Sequence, residues 1–536
     1  MTNGGKWYRS IALLIVVFST APSLVLAQSL DGQGNSYARA RGDSIEEARS
    51  LHTEAMLPVD TPARAAPDVY PSLAGSYASS AQHPRVFITP ADMNDMVTRI
   101  NSSGSFSAQS FARLANKVKA DLASEVDWDA AYSGCDLDIY LHAFSYEPVT
   151  GYADEIRPAS QLGSAMHVKE GMSPPTGAAI VASRLALYAA LVKSGAKTPA
   201  GGPSSGEAAA LAKRILLVWA SRGFRDQNGT FLNKAEQFCD GQQHFNVVVQ
   251  NGVGLQIGRG IIDSVDAQDL LQSIGAFNSA QTNQLNVFHS AMFNLIREAS
   301  NFRAALPQMN GSATICEHYS NHVGAHLLGL LAIARLLDDG RKFNAVLYGN
   351  DRSIPLAISW TNWFNHAVYG EHDKPIACHK NTGADSLASH PSFQTAVVAP
   401  GEIEDRYRNA NAGQAFGYTL GVLTILFNMA DLMKNAGYDA FGYRGTHRQS
   451  IEMATQYYAC YGKNAGFKKT VTAENARVCP DYQQYVGQIV NGLEMNILMG
   501  AYRFPGSSAI TDLEPAAKAA AGPDVLDAIR FGRWRD

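Results

Sequence analysis

The densest run of side chains able to do chemistry is Cys316-Glu317-His318-Tyr319-Ser320-Asn321-His322-Val323-Gly324-Ala325-His326, which leads straight into the apolar stretch Leu327 to Leu337. Read as helix, His318, His322 and His326 fall at i, i+4 and i+8, close to one face. Three readings fit this run. Two of the histidines can bind a metal ion, as i, i+4 pairs do. Asn321 and His322 can stand at the mouth of a cleft and act on a substrate. Or the histidines only satisfy backbone groups at a helix start. A second run, Glu402 to Tyr418, places Tyr407, Asn411, Gln414 and Tyr418 at i, i+4, i+7 and i+11, with Arg406 and Arg408 near its start. The helix continues with Leu420, Val422, Leu423 and Ile425, so this polar stripe must pair internally or face a wet cleft. A tyrosine with arginines nearby is what removal of a proton alpha to a carboxylate requires.

Weaker groups flank these two. His244, Asn246, Gln250 and Asn251 precede Arg259, and Tyr443, Arg444, His447 and Arg448 add positive charge downstream. Trp360, Trp363 and Tyr369 can wall a sugar site or fill a core. Gly202-Pro203-Ser204-Ser205-Gly206 spells GxSxG, but no strand precedes it and the nucleophile-elbow context is missing. Gly252, Gly254 and Gly258 do not form a dinucleotide fingerprint.

The elements that must position these groups read as helices. His83-Pro84-Arg85-Val86-Phe87-Ile88-Thr89-Pro90 is an extended piece ending in an N-cap, Thr89, with Pro90 at the first helical position and Asp92 in the first turn. Helical spacing of apolar residues predicts helices over Ala178 to Lys193 (stopped by Gly195), Ala208 to Ser221, Val248 to Ile262, His322 to Leu337, Tyr418 to Asn435 and Ser450 to Tyr461. Gly201 to Gly206 and Asn381 to Pro400 read as loops, the second long enough for a lid or substrate wall. Strand-type alternation is scarce. So many helices in one chain must bury their faces on one another. The expected fold is all-α: concentric helical hairpins in an α/α toroid, with an irregular bundle or a solenoid as alternatives. No repeat period supports the solenoid, and a small β-rich C-terminal module is left open.

The chain has 536 residues, 46% hydrophobic and 17% charged, enough for a sizeable core and unlike a disordered or collagen-like polymer. Its formal charge is −4, which excludes a global basic field for nucleic acid or an anionic membrane. Lys6 and Arg9, the apolar run Ile11 to Phe18 and Val25-Leu26-Ala27 form an export signal over residues 1–27, and its removal leaves −4 − 2 = −6. A poorly ordered leader is expected over 28–82 and one catalytic domain over 83–536. The expected location is periplasmic or secreted, with no membrane contact after cleavage. Export makes Cys135, Cys239, Cys316, Cys378, Cys460 and Cys479 disulfide candidates. Cys460 and Cys479, which enclose a short polar segment, are the expected bridge.

Asn321-His322 at the head of an apolar helix, followed by Arg408 and a Tyr418-Thr419-Leu420 helix, resembles the alginate lyase superfamily of polysaccharide lyases. HPRVFITP is similar to the start of related toroidal lyase domains, and the likeness spans roughly residues 83–505. The resemblance implies an exported α/α toroid that cleaves 1,4-linked polyuronates by β-elimination with no cofactor. Its only implied partner is an acidic polysaccharide. Carried over by position, Asn321 neutralises the substrate carboxylate and His322 assists or serves as a base. Tyr418 transfers the proton, and Arg408 supports the phenolate or binds carboxylate. His244, Gln250, Asn251, Tyr319, Arg406, Asn411, Gln414 and Arg444 are the candidates to bind substrate around them. The stretch between His322 and Tyr418 is longer than in compact alginate lyases, which leaves the subfamily and the sugar open.

The chemistry explains the residue types. The C5 proton of a uronide becomes acidic only when donors quench its carboxylate and stabilise the enolate-like transition state. A base then takes the proton, and an acid protonates O4. In β-mannuronate and β-glucuronate the C5 hydrogen and O4 share a ring face, so one tyrosine can do both if Arg or His lowers its pKa from about 10. In guluronate they lie on opposite faces and two residues are needed. The rival enzyme reading is an inverting glycoside hydrolase, which needs two carboxylates about 6.5–9.5 Å apart. Glu317, Glu371, Asp373, Glu404 and Asp405 are its candidates. A metal enzyme using His318 and His322, and a non-catalytic glycan-binding protein, are the remaining alternatives.

Overall fold

The computed structural model describes residues 70–129, 177–226, 228–234, 257–310, 319–373, 398–405 and 415–522. The expected export signal and most of the expected leader lie outside them, as do Cys135, Cys239, Cys316, Cys378 and most of the expected loop over 381–400. The described residues form fourteen α-helices, one 3-10 turn and only isolated β-bridges. The fold is all-α.

Local sequence sets the helix starts. Helix α1 (Pro90–Ile100) opens on a capping box in which Thr89 and Asp92 satisfy each other's backbone, and α2 (Phe106–Leu122) opens on Ser105. Helix α3 (Ala178–Lys193) matches the predicted span at both ends, with Gly195 at φ 107° just beyond it. Ser204 of the GxSxG sequence is the N-cap of α4 (Ser205–Arg222) and forms a capping box with Glu207, so it is a structural serine.

The next helices are α5 (Gly258–Ser273), α6 (Ser279–Asn310), α7 (Asn321–Leu336), α8 (Gly340–Tyr348), α9 (Trp360–Ala367) and α10 (Ala415–Asn435). Helix α11 (Ile451–Asn464) and α12 (Leu493–Arg503) follow, then two short ones, α13 (Ser508–Thr511) and α14 (Glu514–Ala521). Helix α3 packs on α5, α5 on α7, α7 on α10 and α10 on α12. Every residue of α7 is buried, as an inner helix apolar all round must be.

Side-chain register shows that these inner helices run the same way. Near one end of the α7/α10 pair, a Cβ on Gly324 would lie 3.2 Å from Ile425. Near the other end, Arg335 donates to the Asn435 carbonyl at 2.7 Å. Thr424 meets Asn496 at 3.1 Å and Asp431 pairs with Arg503, so α10 and α12 are also parallel. The outer helices return antiparallel: Ser264 meets His289 and Gln268 meets Asn286 between α5 and α6. Parallel inner helices, with the outer α6 returning antiparallel to α5, fit the expected α/α toroid.

The C-terminal ends of the inner helices are closed by residues 77–88. Asp269 of α5 accepts the Arg85 and Val86 N–H groups at 2.7 and 2.8 Å. Arg85 donates to the Leu336 carbonyl at 2.6 Å, and Asn435 donates to the Val86 carbonyl at 3.0 Å. Residues 70–82, which the sequence assigns to the leader, thus belong to the body: Leu73 is buried and Tyr77 donates to Asp338 at 2.9 Å. Their weak apolar periodicity reflects attachment by hydrogen bonds. The Cys460–Cys479 disulfide is formed as expected, with Cα atoms 5.7 Å apart.

Candidate active site

The candidate residues Asn321, His322 and Tyr418 lie toward the end where α7 and α10 begin, opposite the segment 77–88. Asn321 is the first residue of α7, and its N–H, an orphan donor of the first turn, is accepted by Asp405 Oδ2 at 2.9 Å. A carboxylate also suits the positive end of the helix dipole. Asp405 belongs to a segment fixed from two sides: the Tyr369 N–H donates to Glu402 O at 2.9 Å, and the Ile403 N–H donates to Tyr458 Oη at 3.2 Å. From α9, the Trp363 indole N–H donates to the Ser320 carbonyl at 3.2 Å. Its ring lies where a Cβ on Gly324 would be, 2.7 Å from Cζ2, so only glycine fits there.

Tyr418 follows from the helix register. Gly324 stands beside Ile425 and Arg335 bonds Asn435, an offset of about one hundred residues. Asn321 is therefore level with the Gly421–Val422 region, and Tyr418 sits roughly one turn, about 5 Å, nearer the end where α10 begins. Asn321, His322 and Tyr418 are all buried, at 0, 2 and 1% exposure, so their reactive atoms are enclosed and not surface groups. The start of α10 is fixed by Gln488, whose Oε1 accepts the Phe416 N–H at 2.8 Å.

Of the other expected substrate contacts, Tyr319 is at this end, two residues before Asn321, and is nearly buried. Arg444 is not: it lies on the outer wall beside Glu452, at 3.3 Å, in the turn that Asn365 and Gln449 organise. Arg406, Arg408, Asn411, Gln414, His244, Gln250 and Asn251 lie outside the described residues, as do His318 and Glu317. Trp360 and Trp363 are wholly buried and are core, not a sugar wall. Among the described residues, no three His, Cys, Asp or Glu side chains group as a metal site.

The hydrolase carboxylates are placed as follows. Glu404 and Asp405 are buried, Asp405 against the α7 N-terminus. Glu371 faces Arg448 at 3.4 Å, and Asp373 pairs with His447. Sequence reasoning missed two groups here. Tyr458 is buried, which pushes its phenol up to about 12 and keeps it protonated. His366 stacks on Tyr319 with ring centroids 4.3 Å apart. The Tyr457-Tyr458 and Tyr461 spacing hinted at the first; nothing in the sequence pointed to the second.

No described protein family matches the sequence, and no characterised protein matches it. Among solved structures, an alginate lyase from Bacteroides ovatus is similar over 84% of this chain and 99% of its own, with a TM-score of 0.44 and 10% identity.

Proposed function

We propose that the protein is a polysaccharide lyase that cleaves 1,4-linked polyuronate, polymannuronate or β-1,4-polyglucuronate, by metal-independent β-elimination. The observation that carries this reading is the parallel register of α7 and α10, which supports Asn321, His322 and Tyr418 sharing one end of the ring. Asn321 and His322 would donate to the uronate carboxylate and lower the cost of the enolate-like state. Tyr418 would take the C5 proton as phenolate and return it to O4, as the shared ring face in these two sugars permits. Arg408 would hold the phenolate or the carboxylate. The parallel N-termini of the inner helices add positive potential for an anionic chain. The signal-like residues 1–27 support action in the periplasm or outside the cell.

The test is incubation with polymannuronate, polyguluronate and polyglucuronate while following the ultraviolet absorbance of 4,5-unsaturated ends. Tyr418→Phe should lower kcat by about 100-fold or more with unchanged circular dichroism. Full activity in that variant removes the assignment. Activity should also survive chelators; its loss with EDTA would favour metal chemistry. The buried carboxylates Glu404 and Asp405 beside Asn321 favour one rival, the inverting hydrolase. New reducing ends without ultraviolet absorbance would select it.

A further inference from the structure

His366 occupies the last turn of α9, a short helix whose Trp360, Trp363 and Phe364 are wholly buried. Its own ring is only partly covered. Nδ1 lies 2.9 Å from the Asn362 carbonyl, which can only accept, so Nδ1 carries a hydrogen. In the neutral ring the lone pair is therefore on Nε2, and the protonated ring has a second N–H there. The ring is fixed in place as well as in tautomer. Tyr319 stacks on one face at 4.3 Å with planes 10° apart, and Tyr70 meets it edge-on at 6.1 Å. Tyr70 is itself held, its hydroxyl accepting from Asn362 Nδ2 at 2.8 Å. One turn earlier on the same helix, Trp363 is bonded to Ser320, which places His366 against the segment that ends in Asn321.

A histidine with one nitrogen committed, its ring clamped and its second nitrogen outside every one of these contacts is arranged to meet something that is not part of the fold. We propose that His366, backed by Tyr319, forms a sugar-binding subsite next to Asn321, with Nε2 hydrogen-bonded to a hydroxyl or carboxylate oxygen of the uronate chain. This rests on the polyuronate reading above. His366 is a positioning residue in that scheme: it holds the sugar ring in register with Asn321 and Tyr418 and takes no proton in the elimination. A pyranose ring has apolar faces and a polar edge, and an imidazole stacked on a phenol offers it both a surface and a directed bond.

The experiment uses the full-length protein and the polyuronate it cleaves fastest. His366→Phe keeps a flat ring for Tyr319 and deletes both ring nitrogens, whereas His366→Gln lacks the Nδ1 bond too but keeps a polar group near the Nε2 position, so that the two variants differ at Nε2. KM should rise about tenfold in the Phe variant, the worth of one lost hydrogen bond, with kcat within about twofold, and the Gln variant should recover most of the loss. Thermal midpoints read in parallel separate this from a packing defect. Unchanged KM in His366→Phe overturns the subsite, as does a KM rise that Gln does not relieve. If the wild type cleaves none of the polymers, the lyase reading fails by itself, and binding is then read from the shift in thermal midpoint each polymer produces. A shift that His366→Phe abolishes sustains the subsite; a shift it leaves intact, or no shift in the wild type, overturns it.

Discussion

Asn321 is held through its backbone: Asp405 accepts its N–H, and Trp363 grips the preceding carbonyl. Removing the carboxylate with Asp405→Ala should cost about 1–2 kcal/mol, the worth of a helix cap, read as a shift in the urea midpoint. Because the same contact sets where the Asn321 side chain begins, kcat should fall as well. Loss of stability with full activity would show that the site does not depend on this anchor. His289 makes a different prediction. Its Nδ1–H donates to the Leu285 carbonyl at 3.1 Å, and its Nε2 accepts from Ser264 at 3.0 Å. Burial pushes the imidazole down from 6.5 to about 3. Below about pH 6.5 the unfolded chain takes up a proton there that the folded chain refuses until about pH 3. The stabilisation is complete above pH 6.5 and is lost as pH falls through that window. At pH 5 the difference is about 2 kcal/mol. Urea midpoints at pH 7.5 and 5 should show the wild type losing that much more than His289→Gln; equal losses would contradict the assignment.

At the scale of elements, the sequence was most legible where apolar spacing and end signals agree. Helix α3 and the Thr89 cap match their predicted positions because Gly195 and Pro90 punctuate them. Helix α5 continues to Ser273, past the predicted end at Ile262 (the predicted start, 248–256, lies outside the described residues), because Asp263, Asp266 and Asp269 look like a solvated end. They are buried instead, with Asp266 accepting from Ser183 at 2.8 Å and Asp269 holding the 83–86 segment. Partners so distant in sequence leave no local signal. The crossing of α5 and α7 depends on Gly329, where a Cβ would come within 2.9 Å of the Gly258 carbonyl. Gly329→Ala should therefore destabilise by about 1–3 kcal/mol despite alanine's better helix propensity, measured as a lower thermal midpoint. A neutral or stabilising result would mean that the two helices can part without cost.

For the whole molecule, the toroid has one closed end and one that carries the candidate site, a division the sequence did not disclose. The closing segment binds by hydrogen bonds to carbonyls and carboxylates, so it lacks the apolar rhythm that marks an element. Arg335, 2% exposed, donates to the carbonyls of Arg85, Ala78 and Asn435. A chain beginning at residue 90 would strand that buried guanidinium and Asp269, a loss of about 3–5 kcal/mol for a broken buried charge contact. Its denaturation midpoint should fall well below that of a chain beginning at residue 28. Equal midpoints would mean that residues 70–88 are ornamental. Of the candidate site, Asn321, His322 and Tyr418 were legible as polar residues on apolar helices, and relating them required the register of α7 on α10.

The Cys460–Cys479 bond has a practical corollary. It ties the end of α11 to the segment whose Gln488 secures the backbone two residues ahead of Tyr418. Closing that loop is worth about 3 kcal/mol by its length. Protein harvested from a reducing cytoplasm will carry this latch undone, so the robustness of a recombinant batch will depend on the compartment in which it matured.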